Sequence, residues 1–152
     1  MKKTLITLLA LGILSGCATF VAFEPMKKEI PINDPSATFE AAIDCASRAV
    51  RPPSAGQMFT YQSEKYNKFI LTFLMDSGTD FWSGMGWNVD AVMRYSTSPD
   101  GKTAILEVTD MKYCSVTSGC SSSVDKSYLP RYRAKTETIM NDISNCILSN
   151  SN

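Results

Sequence analysis

Alternating apolar and polar residues place the strongest constraint on what this chain can fold into. Residues 87–96 alternate between the two kinds of side chain, and so do residues 104–108. A period of two puts the apolar side chains on one face of a strand. Between the segments, Ser98-Pro99-Asp100-Gly101 is typical of a tight turn. The sequence therefore predicts a β-hairpin over 87–109, and with it an antiparallel sheet buried on one face.

Two predicted helices flank the strands. Asp34 and Pro35 suit the cap and first position of a helix, and apolar residues recur at helical spacing as far as Val50. A second amphipathic stripe runs from about Leu129 to Leu148. Two further strand-like segments precede the hairpin, and the second is apolar on both faces, which favours a covered central strand. We expect an α+β fold: a helix, a four-stranded antiparallel sheet and a helix, with both helices on one sheet face.

The first seventeen residues are organised differently. A positive start, Met1-Lys2-Lys3, precedes an apolar run over 4–14 and then Leu14-Ser15-Gly16-Cys17. This pattern predicts a secretory signal peptide, and its apolar run is shorter than the roughly 20 residues of a membrane span. Leu-Ser-Gly-Cys resembles the lipobox of bacterial lipoproteins, in which the cysteine is lipidated and becomes the first residue. The alternative is an ordinary secretory signal with an incidental cysteine.

The resemblance covers only this segment, and it implies where the protein lives. Residues 1–16 are the lipoprotein signal peptide, and acyl chains on Cys17 anchor the mature chain in a membrane. Ala18 stands where an aspartate would retain an enterobacterial lipoprotein in the inner membrane. The resemblance therefore implies the outer membrane, with the domain facing the periplasm.

The mature chain divides into two expected parts. Prolines and charges punctuate residues 17–34, which favours a lipid-anchored tether, and residues 35–150 form the periplasmic α+β domain. Alternatively, Phe20, Val21 and Phe23 pack on the domain.

Four more cysteines allow three disulfide pairings. Cys114 and Cys120 enclose a short Ser/Gly-rich segment that a disulfide closes locally, and this pairing leaves Cys45 with Cys146 near the two ends of the domain. An oxidising periplasm favours disulfides. We expect these two pairs rather than a redox or metal site, because no Cys-x-x-Cys motif is present.

Composition excludes several classes of function. The chain has no histidine, which removes the commonest general base and the commonest metal ligand. Fifteen basic residues balance fifteen acidic ones, so there is no basic footprint of nucleic-acid binding. We expect no metal, no cofactor and no nucleic-acid partner.

Two surface features are candidates for binding. The glycine-rich loop 78–87 holds both tryptophans, and we expect Phe81, Trp82 and Met85 to contact a partner, unless these side chains cover the end of the sheet. Cations also cluster around the start of the last helix, where an acidic partner or a phosphorylated lipid would suit them, although a solvated face is the simpler interpretation. They are Lys126, Arg131, Arg133 and Lys135.

Asp76-Ser77-Gly78-Thr79 resembles the signature of aspartic proteases, where two such aspartates share a proton. A chain with one copy would have to dimerise. No later apolar-apolar-Gly segment braces the site, and Asp-Ser-Gly is also ordinary turn chemistry.

The predicted function is therefore non-enzymatic: an outer-membrane lipoprotein whose domain binds or braces another envelope component, most simply an envelope protein. The alternatives are a dimeric aspartic protease centred on Asp76 and a small lipid-binding module that uses the space between sheet and helices.

Overall fold

The computed structural model describes residues 19–79 and 83–150. Short 3-10 turns occur at Glu64–Tyr66 and Lys126–Tyr128. The remaining elements, in chain order, are β1 (Phe20–Ala22), β2 (Met26–Pro31), α1 (Pro35–Ala49), β3 (Phe59–Ser63), β4 (Lys68–Thr79), β5 (Gly86–Thr97), β6 (Thr103–Ser115), β7 (Gly119–Ser121), β8 (Ser123–Asp125) and α2 (Leu129–Asn150).

The strands form two antiparallel sheets. The large sheet has the order β2-β6-β5-β4-β3, with β7 added to the end of β6, and β1 pairs with β8 in a separate two-stranded sheet. The predicted hairpin is confirmed as β5 and β6, which pair from Trp87 opposite Ser115 to Thr97 opposite Ala104, with a register shift between Val92 and Met93. Its turn contains Gly101 with a φ of 68°, a conformation that glycine adopts without strain.

The predicted four-stranded sheet with a helix at each end is wrong. The large sheet has six strands, a second sheet has two, and two strands precede the first helix. Three of the missed strands are only three residues long, too short for a visible alternation. In β2 the charged Lys28 lies at a partly buried position and donates to Asn141 of α2 at 2.5 Å, so the apolar pattern is interrupted.

Both helices pack on the same face of the large sheet, as predicted. Buried side chains alternate along β4, β5 and β6 and form one core cluster with those of α1 and α2. Strand β4 lies beside the edge strand β3 rather than at the centre, and its second face is only partly buried. The predicted N-cap is also confirmed, because the Asp34 carboxylate accepts hydrogen bonds from the backbone of Ser36 and Ala37.

Most of the segment expected to serve as a tether belongs to the folded domain. Residues 20–22 and 26–31 form β1 and β2, and Phe23 and Ile30 are buried in the core. The alternative prediction was that the aromatic residues of this segment pack on the domain. It is correct for Phe23. The chain is therefore held by the fold from Thr19 onward, where the backbone N–H of Lys126 donates to the Thr19 carbonyl at 2.9 Å.

The disulfide pairing predicted from the sequence is confirmed. Cys45 of α1 is bonded to Cys146 of α2, with 5.8 Å between their Cα atoms, and Cys114 is bonded to Cys120 across the β6–β7 pair. The first bond joins the two helices through cysteines that are 101 residues apart in sequence. No helix within the described ranges is long and apolar enough to cross a membrane.

Candidate binding site at the aromatic end of the sheet

The end of the sheet where β5 begins and β6 finishes carries a groove lined by aromatic side chains. The groove has a volume of about 370 Å³. Five elements contribute one aromatic residue each, and we call this set the aromatic groove: Phe20 of β1, Trp87 of β5, Tyr113 of β6, Tyr128 of the 3-10 turn and Tyr132 of α2.

Strand register explains how two of these rings come together. Trp87 and Val89 share one face of β5, and Tyr113 lies opposite Val89 on β6. Both rings therefore project from the helix-covered face at its end, and they stack with 6.0 Å between centroids and 26° between planes. This arrangement forms the floor of the groove.

The other wall comes from the start of α2. Tyr128 and Tyr132 are four residues apart, so their rings lie on one side of the helical path and stack at 6.1 Å. Tyr132 is buried and Tyr128 is half exposed. Burial raises the pKa of the Tyr132 hydroxyl to about 12, and the nearby Asp76 carboxylate adds to the effect.

Gly78 allows Trp87 to lie flat against the neighbouring strand. A Cβ atom added at Gly78 would lie 2.6 Å from Cζ2 and 2.8 Å from Cε2 of the indole. Such distances are far inside van der Waals contact, so the indole position depends on glycine here.

Gly78→Ala should therefore displace the indole and alter the groove. We expect a change in the emission spectrum of Trp87, read in a Trp82→Phe background, and a loss of about 1–3 kcal/mol of stability from overpacking. Gly86→Ala is the matched control, because its added Cβ meets nothing closer than the Gly78 carbonyl oxygen at 4.0 Å. Indistinguishable spectra for the two variants would contradict this account of the groove.

Of the three residues predicted to contact a partner, Met85 is described. Met85 is exposed and lies two residues before Trp87. Phe81 and Trp82 lie outside the described residues. The lipidation residue Cys17 also lies outside them, two residues before Thr19.

Sequence reasoning missed most of the groove. Tyr132 was assigned to the apolar stripe of the last helix, and Phe20 to the tether or to packing on the domain. The spacing of Tyr128 and Tyr132 was a usable signal, since residues at i and i+4 of a helix are neighbours. The position of Phe20 depends on the pairing of β1 with β8, which no sequence pattern indicated.

Asp76 lies in a different setting, beneath α2. A β-bulge at Met75 shifts the register, so that Leu74 pairs with Asp90 and Asp76 with Val89. The Asp76 side chain thereby turns toward the helices and is 8% exposed. Lys135 Nζ donates to its Oδ1 at 3.0 Å, and Arg131 Nη2 lies 3.0 Å from its Oδ2.

These ion pairs connect the protease-like segment, residues 76–79, to α2. The string remains within β4 rather than forming a turn, and the carboxylate is occupied by two cations of its own chain. An aspartic protease needs two aspartates that face each other and share a proton. Asp76 lines an open groove, and the structure gives its carboxylate Arg131 and Lys135 as partners.

Asp76→Asn should lower the free energy of unfolding by about 1–2 kcal/mol, because it removes a charged acceptor from a poorly exposed ion-pair cluster. Denaturant unfolding measures the effect. The control is Asp44→Asn, whose partner Arg48 forms an exposed pair one helical turn away, and which should cost about 0.5 kcal/mol or less. Equal losses would contradict the structural role. Loss of a pepstatin-sensitive peptidase activity in Asp76→Asn alone would support the protease hypothesis instead.

The predicted cation cluster divides between separate contacts. Arg131 and Lys135 pair with Asp76, while Arg133 pairs with Glu24 in the segment after β1. Arg51, Arg131 and Lys135 also line a wide groove of about 620 Å³ above Asp76. Arg131, Arg133 and Lys135 therefore form ion pairs that connect α2 to other parts of the domain.

Between sheet and helices, the site proposed for the lipid-binding alternative, the groove above Asp76 stays open at one side. Core side chains fill the centre of this space. Phe39, Phe69 and Tyr95 contact each other there, with Phe69 and Tyr95 stacked at 5.1 Å. Among the described residues, no cluster of three or more acidic or cysteine side chains is arranged to hold a metal ion.

Comparisons with known proteins place the fold but no activity. No protein-family model matches the chain, and no curated protein matches it. Among solved structures, a DUF4468 family protein from Bacteroides ovatus is similar with a TM-score of 0.56 and 9% identity, over 81% of this chain and 85% of that one. A TBP-like protein from Parabacteroides distasonis is similar with a TM-score of 0.54 and 10% identity, over 84% and 94%. At these identities the likeness extends to the fold alone.

Proposed function

We propose that this protein is an outer-membrane lipoprotein, anchored through Cys17, whose periplasmic domain binds or braces another component of the cell envelope without catalysing a reaction. The contact surface is the aromatic groove together with the adjoining Met85 loop. The observation that carries the proposal is the groove itself. Five aromatic side chains from five separate elements converge there, and Phe20 and Tyr128 are left exposed at its rim.

Aromatic groups at such a place suit recognition. Tyrosine and tryptophan combine a large apolar face with a polar tip, so they are enriched at binding interfaces that remain partly hydrated. A monomeric protein rarely leaves neighbouring large apolar side chains in water without a use. The signal segment supports the location, since a chain exported and lipidated at Cys17 meets only envelope components.

Matched exposed residues allow the groove to be tested directly. The variant Cys17→Ser, exported behind a non-lipoprotein signal peptide, gives a form without acyl chains. We expect this form to sediment with washed outer membranes. Adding Phe20→Ser and Tyr128→Ser should reduce the bound fraction several-fold.

The control is Tyr61→Ser with Tyr66→Ser, two tyrosines of comparable exposure at the β3–β4 end. This pair should leave sedimentation unchanged. Equal binding by both double variants, or no binding by the parent form, would contradict the proposal.

A further inference from the structure

The described chain begins at the end of the domain that carries the aromatic groove, because Phe20 lines the groove. The Thr19 carbonyl is hydrogen-bonded to Lys126, and from Phe20 the chain is paired residue by residue with β8. Cys17 lies two residues before Thr19 in the sequence, a reach of at most about 7 Å. If Cys17 carries acyl chains, the membrane surface lies within a few ångströms of this part of the domain.

Exposed apolar side chains are distributed unevenly over the described residues. Phe20 (60% exposed) and Tyr128 (48%) border the groove. Met85 and Val116 lie at the same end of the sheet. Trp87 of β5 pairs with Ser115 of β6 at this end, Met85 precedes β5, and Val116 follows β6. Val116 is the most exposed of all, at 79%.

The other exposed large apolar side chains lie at the opposite end. Tyr61 and Tyr66 flank the β3–β4 connection, where Ser63 pairs with Lys68. Leu148 lies in the last turn of α2, near the Cys45–Cys146 bond. Strand β4 has 12 residues, so roughly 35 Å separates the two ends of the sheet.

We infer that the aromatic end rests in the interfacial layer of the bilayer that holds the anchor, so that the occupant of the groove is membrane lipid. This inference rests on the proposed anchor at Cys17. Tyrosine and tryptophan favour the headgroup level of a bilayer, and phenylalanine, methionine and valine favour the layer beneath it.

This placement orients the whole domain. The axis of α2 runs away from the membrane, and the disulfide-linked ends of α1 and α2 lie at the distal side. A tether would allow many orientations, whereas a domain held at Thr19 and at its aromatic rim has one.

Photocrosslinking within pure lipid tests the inference. A benzophenone side chain is placed singly at Phe20, Tyr128, Tyr61 or Tyr66, positions whose exposure tolerates it. The mature lipoprotein is reconstituted in vesicles of phosphatidylethanolamine and phosphatidylglycerol, and lipid adducts are counted by mass spectrometry. We expect adducts at Phe20 and Tyr128 at least tenfold above those at Tyr61 and Tyr66.

The outcomes separate the two proposals. Low or equal lipid adducts at all four positions, in protein whose acyl chains are verified by mass, would overturn the membrane placement, and sedimentation with outer membranes would still decide the proposed function. Adducts between protein copies at Phe20 and Tyr128 would also overturn it, by making a second copy the occupant. Absence of acyl chains would remove the anchor on which both proposals depend.

Discussion

Removing the Cys45–Cys146 disulfide with the pair Cys45→Ala and Cys146→Ala should lower the free energy of unfolding by about 4–5 kcal/mol. The bond closes a loop of about 100 residues, and the chain-entropy model assigns roughly 4.7 kcal/mol to such a loop. That is a large share of the 5–15 kcal/mol typical of a folded domain. Thermal and denaturant unfolding measure the loss.

The second disulfide supplies the control. Cys114 and Cys120 are six residues apart, and the same model gives about 2 kcal/mol for so short a loop. The pair Cys114→Ala and Cys120→Ala should therefore destabilise the protein about half as much. A larger loss from the short loop than from the long one would contradict the account of how the helices are held.

Phe69→Ala should lower the free energy of unfolding by about 3–5 kcal/mol, the usual range for a fully buried aromatic residue. Phe69 has no exposed surface and contacts the rings of Phe39, Phe59 and Tyr95. It thereby joins α1 to β3, β4 and β5, and its loss leaves a cavity at the centre of the core.

The matched change is Phe20→Ala, which deletes the same side chain at the rim of the aromatic groove, where it is 60% exposed. Its effect on unfolding should stay within about 0.5 kcal/mol, the range of ordinary surface substitutions. A loss of stability comparable to that of Phe69→Ala would show that Phe20 stabilises the domain. That result would contradict the proposal that the groove is a binding surface.

Local chemistry made several elements predictable from the sequence. The β5–β6 hairpin follows from the alternation of apolar side chains on either side of a Pro-Asp-Gly turn, and α1 from the Asp34 cap beside Pro35. The disulfide pairing followed from elimination, since the short segment between Cys114 and Cys120 can close on itself and leaves one further pair.

Features that depend on distant pairing were not predictable. Strands β1 and β8 are three residues each and stabilise one another across about 100 residues of sequence, so neither has a pattern of its own. The bulge at Met75 reverses the direction of Asp76, and the string that looked catalytic becomes an ion pair with α2. Such register shifts depend on tertiary packing.

Residues of the candidate site were also predictable only where the local sequence indicated them. Met85 and its loop stood out because tryptophan, methionine and glycine are concentrated there. Tyr132 fits the apolar stripe of the last helix, and Tyr113 lies beyond the predicted hairpin of 87–109, so neither residue was predicted to bind a partner. Only the assembled fold brings them beside Trp87.

Intact mass of the protein purified from membranes is the most direct test of the central claim, that a lipid anchor on Cys17 holds this domain at the membrane. The account predicts a chain of residues 17–152, with two disulfides, that carries a diacylglyceryl group and a further acyl chain on Cys17. Cys17→Ser should abolish both the added mass and the processing. A native product that retains residues 1–16, or one that begins elsewhere without acyl chains and is freely soluble, would contradict the account.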